Sequence, residues 1–368
     1  MWDAMTTSPS QRAPKQTSVV DRVIVGVDAF RRGRPVVISG AGGAVLCYAA
    51  ESLSPRVLKA AGPKARLVLS QARARTLKIR LYTPQVVALV LPRDINLERL
   101  RAIADPTDDL TFPLKGPFDA VRETLPQGYG AAVKLAKLAG LLPAALVRSG
   151  RGAPKNAVRV AASDIFAYDD EIVRTLKIVA RARVPLEGAE KTELVSFRPT
   201  DGGPEHYAIL IGAPPTSRPV LTRLHSECFT GDLLGSLKCD CGAQLRGAIE
   251  AISKAGGGVL LYLAQEGRGI GLINKLRAYR LQDQGFDTID ANERLGFEAD
   301  ERQYGIAARM LGLLGYKSVR LLTNNPDKVA ALKAAGVKVA ARVRHAFPDN
   351  EHNRAYLRTK AEKAGHLP

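Results

Sequence analysis

The sequence contains few cysteines, few aromatic residues and no long apolar run. Four of its 368 residues are cysteines, and 5% are aromatic. No apolar run approaches the about 18 residues that a membrane-spanning helix needs, and residues 1–20 lack the apolar core of a secretory signal. These absences disfavour a membrane protein and a disulfide-rich secreted protein. We therefore expect a cytoplasmic protein of a reducing compartment.

Acidic residues are too few to balance the basic ones. The 36 Asp and Glu residues face 54 Lys and Arg residues, which gives a formal net charge of +18, and most of the excess lies before residue 190. Such a surplus attracts anions, whether nucleotide triphosphates, nucleic acid or membrane surfaces. The basic residues are scattered, with only Arg31, Arg32 and Arg34 clustered, and no aromatic residues are interleaved with them. A dedicated nucleic-acid surface is therefore disfavoured.

The length suits two domains of roughly 150 to 200 residues each. Residues 1–20 have the composition of a disordered tail. Apolar periodicity breaks near Val184–Gly188, which we interpret as a linker between a domain at 21–188 and a domain at 189–368. Strand-like and helix-like segments alternate in both halves. This order predicts an α/β fold (α+β mixed) with two domains, each a mixed sheet flanked by helices.

Three of the four cysteines lie in one segment with the spacing C-x10-C-x-C: Cys228, Cys239 and Cys241. Cys239 and Cys241 point the same way if the segment is extended, and they precede a predicted helix from Gly242 to Ala255, whose N-terminus favours thiolate. Three sulfur ligands would leave one position of a tetrahedral zinc site open, as in catalytic sites. His225 as a fourth ligand would make the site structural, and a disulfide or plain burial of the cysteines are further alternatives.

Three polar segments stand at predicted element boundaries. Gln265–Gly269 follows a predicted strand at Gly258–Ala264, and Thr323–Lys328 follows a predicted strand at Ser318–Leu322. Both supply backbone N–H groups and a cation, in the place where α/β sheets bind ligands. The segment Asp300–Arg302 puts two acids and a base before a predicted helix. Each segment alone could be an ordinary turn or helix start.

Together, the ordered motifs of the second half closely resemble GTP cyclohydrolase II, over about residues 193–368. The segments that match are Arg223–Cys228, Gly235–Gly242, Gln265–Leu272, Asn274–Tyr279, Leu281–Gly285, Leu295–Arg302, Leu321–Pro326 and Thr359–His366. The resemblance implies opening of the imidazole ring of GTP, with release of formate and pyrophosphate. The product would be 2,5-diamino-6-ribosylamino-4(3H)-pyrimidinone 5′-phosphate, the first riboflavin precursor. The resemblance also implies a homodimer.

The resemblance assigns catalytic roles to individual residues. Cys228, Cys239 and Cys241 would hold one Zn²⁺ per subunit, which activates the water that attacks C8 of guanine. Asp300 would be the proton acceptor. Arg302 would be the nucleophile on the α-phosphorus, although a guanidinium is a poor nucleophile and could instead stabilise charge on the phosphorus. Tyr279 matches a position associated with completing the second hydrolysis, and helix packing is the alternative.

The implied contacts to GTP are spread over six segments: Arg223, Leu224, His225, Ser226, Glu227, Gln244, Glu266, Gly267, Arg268, Thr288, Thr323 and Lys328. We also expect Mg²⁺ with the substrate triphosphate, to neutralise the leaving pyrophosphate, but no segment identifies its ligands. Two departures from the family pattern bear on substrate affinity. Leu263 and Ala264 replace basic residues, and Arg344 and His345 replace a more apolar pair.

The first half resembles 3,4-dihydroxy-2-butanone 4-phosphate synthase, over about residues 20–188. The segments that match are Ala29–Val37, Ala49–Pro55 and Ala136–Ala144. That family has an acidic run where this chain has Ser39–Ala44, and a Gly-His-Thr-Glu loop where this chain has Gly128–Ala131. Without those carboxylates there is neither a hard-cation site nor a general base. We therefore expect a domain that has lost its chemistry and remains as a scaffold, a dimerisation surface or a regulator.

Two other functions compete with a complete cyclohydrolase. One is a related cyclohydrolase that stops at a formamidopyrimidine. The other is a non-catalytic regulator that binds nucleotides or nucleic acid, which the basic first half favours. The intact set of three cysteines, Asp300 and Arg302 argues against a regulator, since binding alone needs no open zinc site.

Overall fold

A computed structural model describes residues 18–347 and contains two seven-stranded mixed sheets, each flanked by helices. The predicted fold class is confirmed. The predicted tail overlaps the first helix, because Ser18 and Asp21 form a capping box that starts the helix at Val19. Residues 1–17 and the Thr359–His366 motif lie outside the described residues. Between residues 18 and 347, no helix combines the length and apolarity needed to cross a membrane.

The first sheet has the strand order β5-β4-β3-β6-β2-β1-β7, and only β1 and β7 pair in parallel. One core cluster lies between this sheet and helices α1, α5 and α6, and a second joins β3 and β4 to α4. The elements are α1 (Val19–Arg31), β1 (Val36–Ser39), β2 (Val45–Ala49), α2 (Pro55–Ala61), β3 (Arg66–Ser70), α3 (Gln71–Thr76), β4 (Val86–Val90), α4 (Leu97–Ala104), β5 (Asp119–Ala120), α5 (Gln127–Leu138), β6 (Ala144–Ser149), β7 (Val158–Ala161) and α6 (Ala162–Thr175).

The second sheet has the order β14-β13-β11-β12-β10-β9-β8. Strands β14, β13, β11 and β12 are parallel neighbours, and β10, β9 and β8 continue as antiparallel neighbours. The elements are β8 (Lys177–Arg183), β9 (Thr192–Arg198), β10 (His206–Ile211), β11 (Val220–Ser226), a short π-helical turn (Phe229–Leu233), α7 (Cys241–Lys254), β12 (Gly258–Leu263), a 3₁₀ turn (Glu266–Gly269), α8 (Leu272–Asp283), α9 (Thr288–Arg294), α10 (Tyr304–Leu313), β13 (Ser318–Leu322), α11 (Pro326–Ala334) and β14 (Lys338–Val343).

The chain passes from the first sheet to the second at the end of α6, earlier than the predicted boundary at residue 188. Strand β8 pairs with β9 in the second sheet, and Leu186 bridges to Ala189 at their turn. The segment interpreted as a linker, Val184–Gly188, is therefore a hairpin turn. Apolar periodicity breaks there because β8 is an edge strand with mostly exposed side chains. Below, the first domain means α1 to α6 and the second domain means β8 to β14.

The two domains pack against each other through α8 and α9 of the second domain. Leu142 of the first domain lies in a shared apolar cluster with Leu281 and Phe297. Arg277 on α8 pairs with Glu51 at 2.9 Å and with Asp105 at 3.4 Å. Helix α8 is therefore held from the first domain along the side opposite to the site described next.

Candidate active site

A cavity of about 390 Å³ opens at the carboxyl ends of the parallel strands β11, β12 and β13. Residues that follow parallel strands meet at one sheet edge, which is where α/β folds bind ligands. The predicted site residues that line this cavity are Arg223, His225, Ser226, Glu227, Cys228, Cys239, Cys241, Gln244, Glu266, Gly267, Arg268, Tyr279, Thr288, Arg302, Thr323 and Lys328.

Two predicted site residues do not line the cavity. Leu224 lies between Arg223 and His225 on β11, so its side chain points to the opposite face and is buried in the core of the second domain. Its carbonyl oxygen nonetheless accepts a hydrogen bond from Lys328 Nζ at 3.1 Å. Asp300 is paired with the cavity-lining Arg302.

The three cysteines converge on one wall of the cavity. Their sulfur atoms all lie within 4.8 Å of one another, and Cys228 Sγ is 3.7 Å from Cys239 Sγ. All three are free thiols, so the disulfide alternative is wrong for this structure. The segment is not extended, since Cys239 lies in an irregular stretch after a turn at Leu237 and Lys238, and Cys241 begins α7. The cluster depends on this turn and on β11, which ends just before Cys228.

Gly231, which has no side chain, leaves space beside the sulfur atoms. A Cβ atom built on Gly231 would lie 2.8 Å from Cys239 Sγ and 3.0 Å from Cys228 Sγ, closer than packed atoms approach. Three convergent thiols around a cradle that a methyl group would fill fit a thiophilic ion such as zinc.

His225 is held by a carboxylate and is not part of the sulfur cluster. Its Nε2 lies 3.0 Å from both carboxylate oxygens of Asp232, and its ring stacks on Tyr262. Asp232 also accepts hydrogen bonds from the Tyr262 hydroxyl and the Cys228 backbone N–H, each at 3.0 Å. Burial lowers the pKa of His225 although Asp232 opposes the shift. Within residues 18–347 the potential ligand group contains the cysteines alone, so the alternative of a His225 ligand finds no support.

A lysine that the sequence did not single out stands beside the thiols. Lys275 Nζ lies 3.0 Å from Cys228 Sγ, 3.0 Å from Thr230 Oγ1 and 2.8 Å from Glu266 Oε1. Burial lowers the pKa of this ammonium, but Glu266 and Cys228 outweigh burial and raise it above its ordinary value. The thiol of Cys228 has a lowered pKa, because Cys239, Cys241 and Lys275 surround it with donors. Lys275 therefore places a positive charge against the cysteine cluster.

Tyr279 faces the same wall one helical turn from Lys275. Its hydroxyl is 3.3 Å from Thr230 Oγ1, and Lys275 Nζ lies 5.6 Å from its ring centre. Burial raises the pKa of Tyr279 to about 12. The side chain lines the cavity, so it is placed where it could contact a ligand.

The Gln265–Gly269 turn has an unusual backbone. Gly267, Arg268 and Gly269 have φ angles of 62°, 61° and 94°, so three consecutive residues are left-handed. Glycine tolerates this conformation, whereas at Arg268 it costs on the order of 1 kcal/mol. Such a cost at a cationic residue lining a cavity indicates a functional role.

Asp300 and Arg302 form a bidentate ion pair at the edge of the cavity. The two contacts measure 2.8 Å (Nε to Oδ1) and 2.5 Å (Nη2 to Oδ2). Burial would raise the pKa of Asp300, but Arg302 outweighs burial and holds it below its ordinary value. The carboxylate is therefore ionised and the guanidinium is fixed in orientation.

Arg223 and Gln244 form a buried polar network beneath the cavity. Arg223 Nη1 donates to the carbonyl of Leu322 at 2.9 Å, and Nη2 donates to Gln244 Oε1. Gln244 in turn donates to Asp240, and burial lowers the pKa of Arg223 to about 10. Such a network fixes the orientation of the amide that a ligand would meet.

Helix α9, which brings Thr288 to the cavity, was not predicted. It begins at Thr288 and is capped by Asp287, which accepts hydrogen bonds from the N–H groups of Ile289 and Asp290. Gln282 donates to the Thr288 hydroxyl at 3.0 Å. The Asp287 cap was a readable signal, but seven residues are too short for a helical period to stand out.

Several lining residues were not among the predicted site residues, among them Lys238, Asp240, Lys275, Asn292, Asn324, Arg344 and His345. Asp240 lies between two predicted metal ligands, and Arg344 and His345 are the pair that departs from the family pattern. His345 Nε2 lies 2.9 Å from the carbonyl oxygen of Gln244, and burial lowers the pKa of His345 to about 4. The cations around the cavity suit a polyanionic ligand.

Comparisons with known proteins give one consistent family. A family model described as GTP cyclohydrolase II matches residues 177–344. The GTP cyclohydrolase-2 of Azospirillum brasilense is 49% identical over 391 aligned residues, which cover 98% of this chain and 99% of that protein. The GTP cyclohydrolase-2 of Azotobacter vinelandii is 59% identical over 165 residues, covering 45% of this chain and 79% of that protein.

Two further proteins are similar to this chain. Riboflavin biosynthesis protein RibBA of a Synechocystis strain is 44% identical over 253 residues, covering 64% of this chain and 45% of that protein. The solved structure of RibBX, a two-domain 3,4-dihydroxy-2-butanone 4-phosphate synthase from A. baumannii, is 17% identical with a TM-score of 0.31, covering 82% of this chain and 93% of that chain.

Proposed function

The chain belongs to the GTP cyclohydrolase II family, and we propose that its cavity converts GTP to 2,5-diamino-6-ribosylamino-4(3H)-pyrimidinone 5′-phosphate, formate and pyrophosphate in riboflavin biosynthesis. One observation carries this proposal: three free thiols within 4.8 Å of one another line the same cavity as Arg268 and Arg302. A protein that only bound a nucleotide would need the cations but not the thiols.

Cys228, Cys239 and Cys241 would hold zinc in this proposal. Zinc bound there would supply a Lewis acid that makes water a nucleophile near neutral pH. Lys275 remains beside Cys228 and balances part of the negative charge of three thiolates. Magnesium would enter with the substrate triphosphate.

The chain's own residues orient the substrate and move protons. Arg268 and Thr323 follow β12 and β13, and Lys328 lies in the first turn of α11. The two cations and the Thr323 hydroxyl would bind the triphosphate. The Asp300 carboxylate, kept ionised by Arg302, would accept a proton during ring opening. The Arg302 guanidinium would stabilise charge on the α-phosphorus as pyrophosphate leaves.

A homodimer in the cytoplasm is part of the proposal. Large apolar side chains near the cysteine segment and on α8 are 40% to 72% exposed, as expected of a surface that a second copy covers: Phe229, Leu233, Leu234, Leu237, Ile273 and Leu276. A mass measurement in solution tests this assembly, and a monomer at micromolar concentration would contradict it.

The first domain would be catalytically inactive. Ser39–Ala44 has no carboxylate and forms the turn of the β1–β2 hairpin, in which Ile38 pairs with Val45. The Gly128–Ala131 segment lies in the first turn of α5, where Gly128 packs against Val45. Neither place offers the acid groups that deprotonation of a sugar phosphate requires. Turnover of ribulose 5-phosphate by the purified protein would contradict this part.

The function is tested by incubating the protein with GTP, zinc and magnesium. We expect formate and pyrophosphate in equal amounts and an ultraviolet spectrum that changes from purine to diaminopyrimidine. A Cys239→Ser variant should lose zinc and activity together. Absence of formate would contradict the proposal and favour a binding protein. A product that retains the formyl group would instead show a cyclohydrolase that stops at the formamidopyrimidine.

A further inference from the structure

The loop that carries Asp300 and Arg302 is held from the first domain on both sides of Arg302. We call residues 297–303 the catalytic loop. Lys137 Nζ lies 2.5 Å from Glu301 Oε1, and Gln303 Nε2 donates to Asp169 Oδ1 at 2.6 Å. Lys137 belongs to the last turn of α5 and Asp169 to α6, so both partners stand on helices of the first domain.

Glu301 also joins the catalytic loop to the left-handed turn at Arg268. Its backbone N–H donates to the carbonyl of Arg268 at 3.0 Å, and its Oε1 accepts from the N–H of Glu298 at 2.8 Å. A Cβ built on Gly269 would lie 2.8 Å from the Glu301 carbonyl oxygen, so the two segments are in close contact. Holding Glu301 therefore fixes Arg302 and Arg268 relative to each other.

Regular secondary structure does not fix this loop. Helix α9 ends at Arg294 and α10 begins at Tyr304, and residues 298–303 between them form neither helix nor strand. A loop of this kind takes its position from specific contacts. The Lys137–Glu301 pair is only 22% and 21% exposed, so it is less screened by solvent than a surface ion pair.

We propose that Lys137, assisted by Asp169, is a positioning residue for the cyclohydrolase reaction, through which the first domain holds the catalytic loop. This inference rests on the proposed function. A displacement of about 1 Å at a reacting group can cost on the order of 100-fold in rate. The first domain would thus contribute to turnover without touching the substrate.

The test compares Lys137→Met with a matched control, Arg22→Gln. Arg22 lies on α1 and pairs with Asp164 at 2.7 Å inside the first domain, with side chains 38% and 15% exposed. Neither residue contacts the catalytic loop through a described ion pair or hydrogen bond. We expect Lys137→Met to lower kcat about tenfold, with KM for GTP and zinc content nearly unchanged. Arg22→Gln should leave kcat at the parent value, even if both variants melt at a lower temperature.

A double-mutant cycle with Glu301→Gln shows whether the effect passes through the pair. The double variant Lys137→Met/Glu301→Gln should lose no more activity than the poorer single variant. Losses that multiply, an unchanged kcat in Lys137→Met, or an equal loss in Arg22→Gln would overturn the inference.

Hydrogen exchange tests the contact without relying on activity. Backbone amides of residues 298–303 should exchange faster in Lys137→Met than in the parent, while Arg22→Gln leaves them unchanged. If the parent released no formate, the proposed function would fail, and the exchange result would still decide whether Lys137 holds the loop. Equal exchange in parent and Lys137→Met would overturn the inference on its own.

Discussion

At the scale of single residues, Gly231 shows how an absent side chain shapes a site. The sequence predicted a metal site at the three cysteines, since this spacing of thiols in a cysteine-poor chain indicates metal binding. It gave no reason to single out Gly231, two residues before the end of the π-helical turn. Its importance arises because the turn folds back between Cys228 and Cys239, where a Cβ atom has no room.

Replacing Gly231 with alanine should reduce zinc binding. The new methyl group would push apart sulfur atoms that must approach a zinc ion to about 2.3 Å. We expect zinc per chain, measured by plasma mass spectrometry after dialysis, to fall at least tenfold, and formate release to fall with it. Gly312→Ala is the control, because nothing lies within 4 Å of a Cβ at that position. Full zinc content in Gly231→Ala would contradict the assigned cradle.

The buried side chain of His206 makes the stability of the protein depend on pH. It is 4% exposed, and its Nδ1 accepts a hydrogen bond from the Ala264 N–H at 3.0 Å. Burial lowers the pKa of His206 to about 4, against the 6.5 of an ordinary histidine. The unfolded chain therefore binds a proton before the folded one does, and stability is lost as pH falls from about 6.5 to about 4.

Replacing His206 with asparagine should flatten this dependence. Asparagine offers an acceptor to Ala264 but does not titrate. The free energy of unfolding of the parent should fall by about 2–3 kcal/mol in that pH range through His206, and that of the variant should not. We expect the melting temperature of the parent to fall more than that of His206→Asn between about pH 7 and about pH 5. Parallel curves for the two proteins would show that His206 does not titrate in this range.

At the scale of elements, strand ends were predictable and the geometry of the turns after them was not. The buried strand β12 and the loop at Gln265–Gly269 were predicted from an apolar run followed by glycines. The left-handed conformation of Arg268 was not, because an arginine carries no local signal for positive φ. In the structure the N–H of Glu301 donates to the carbonyl of Arg268 at 3.0 Å, so the catalytic loop packs against this turn.

Replacing Gly269 with alanine should separate these two segments. Its φ of 94° disfavours any side chain, and the new Cβ would lie 2.8 Å from the Glu301 carbonyl oxygen. We expect kcat for GTP to fall on the order of 100-fold, with zinc content unchanged because the cysteines stand on another wall. Gly312→Ala again serves as the control. A fully active Gly269→Ala variant would mean that the spacing of Arg268 and Arg302 is not critical.

At the scale of the whole molecule, Arg277 connects the domains behind the active site. Its guanidinium pairs with Glu51 and Asp105 of the first domain, and its side chain is 20% exposed. Lys275 and Tyr279 of the same helix line the cavity. The domain interface and the active site therefore share helix α8.

Replacing Arg277 with glutamine should weaken the coupling of the domains. We expect the free energy of unfolding to fall by about 1–3 kcal/mol, because Glu51 and Asp105 keep their charges without their partner. Calorimetry should show one transition in the parent and a lower, broader or divided transition in Arg277→Gln. The control is Arg174→Gln, which removes an exposed pair with Glu171 and should cost less than about 0.5 kcal/mol. Identical curves for Arg277→Gln and the parent would exclude this coupling.

The domain boundary belongs to the same scale. Sequence reasoning placed it at residue 188, where apolar periodicity breaks. The sheet topology places β8 in the second domain. The sequence did not reveal this strand, because an exposed edge strand lacks the alternation of apolar and polar residues that indicates a strand. Strands β8 and β9 form a hairpin in which Arg183 lies opposite Glu193, but an exposed edge strand carries little apolar signal of its pairing.

The sequence by itself determined the fold class, the family and most of the residues around the cavity. Apolar periodicity and glycines at strand ends indicated the fold class, whereas the family and most of the site residues came from the resemblance of the ordered motifs to GTP cyclohydrolase II. Only the tertiary structure decided that His225 pairs with Asp232, that Lys275 lies beside Cys228 and that Leu224 faces the core. The contact of Lys137 with Glu301 joins residues 164 positions apart, and only the packing of two domains brings such residues together.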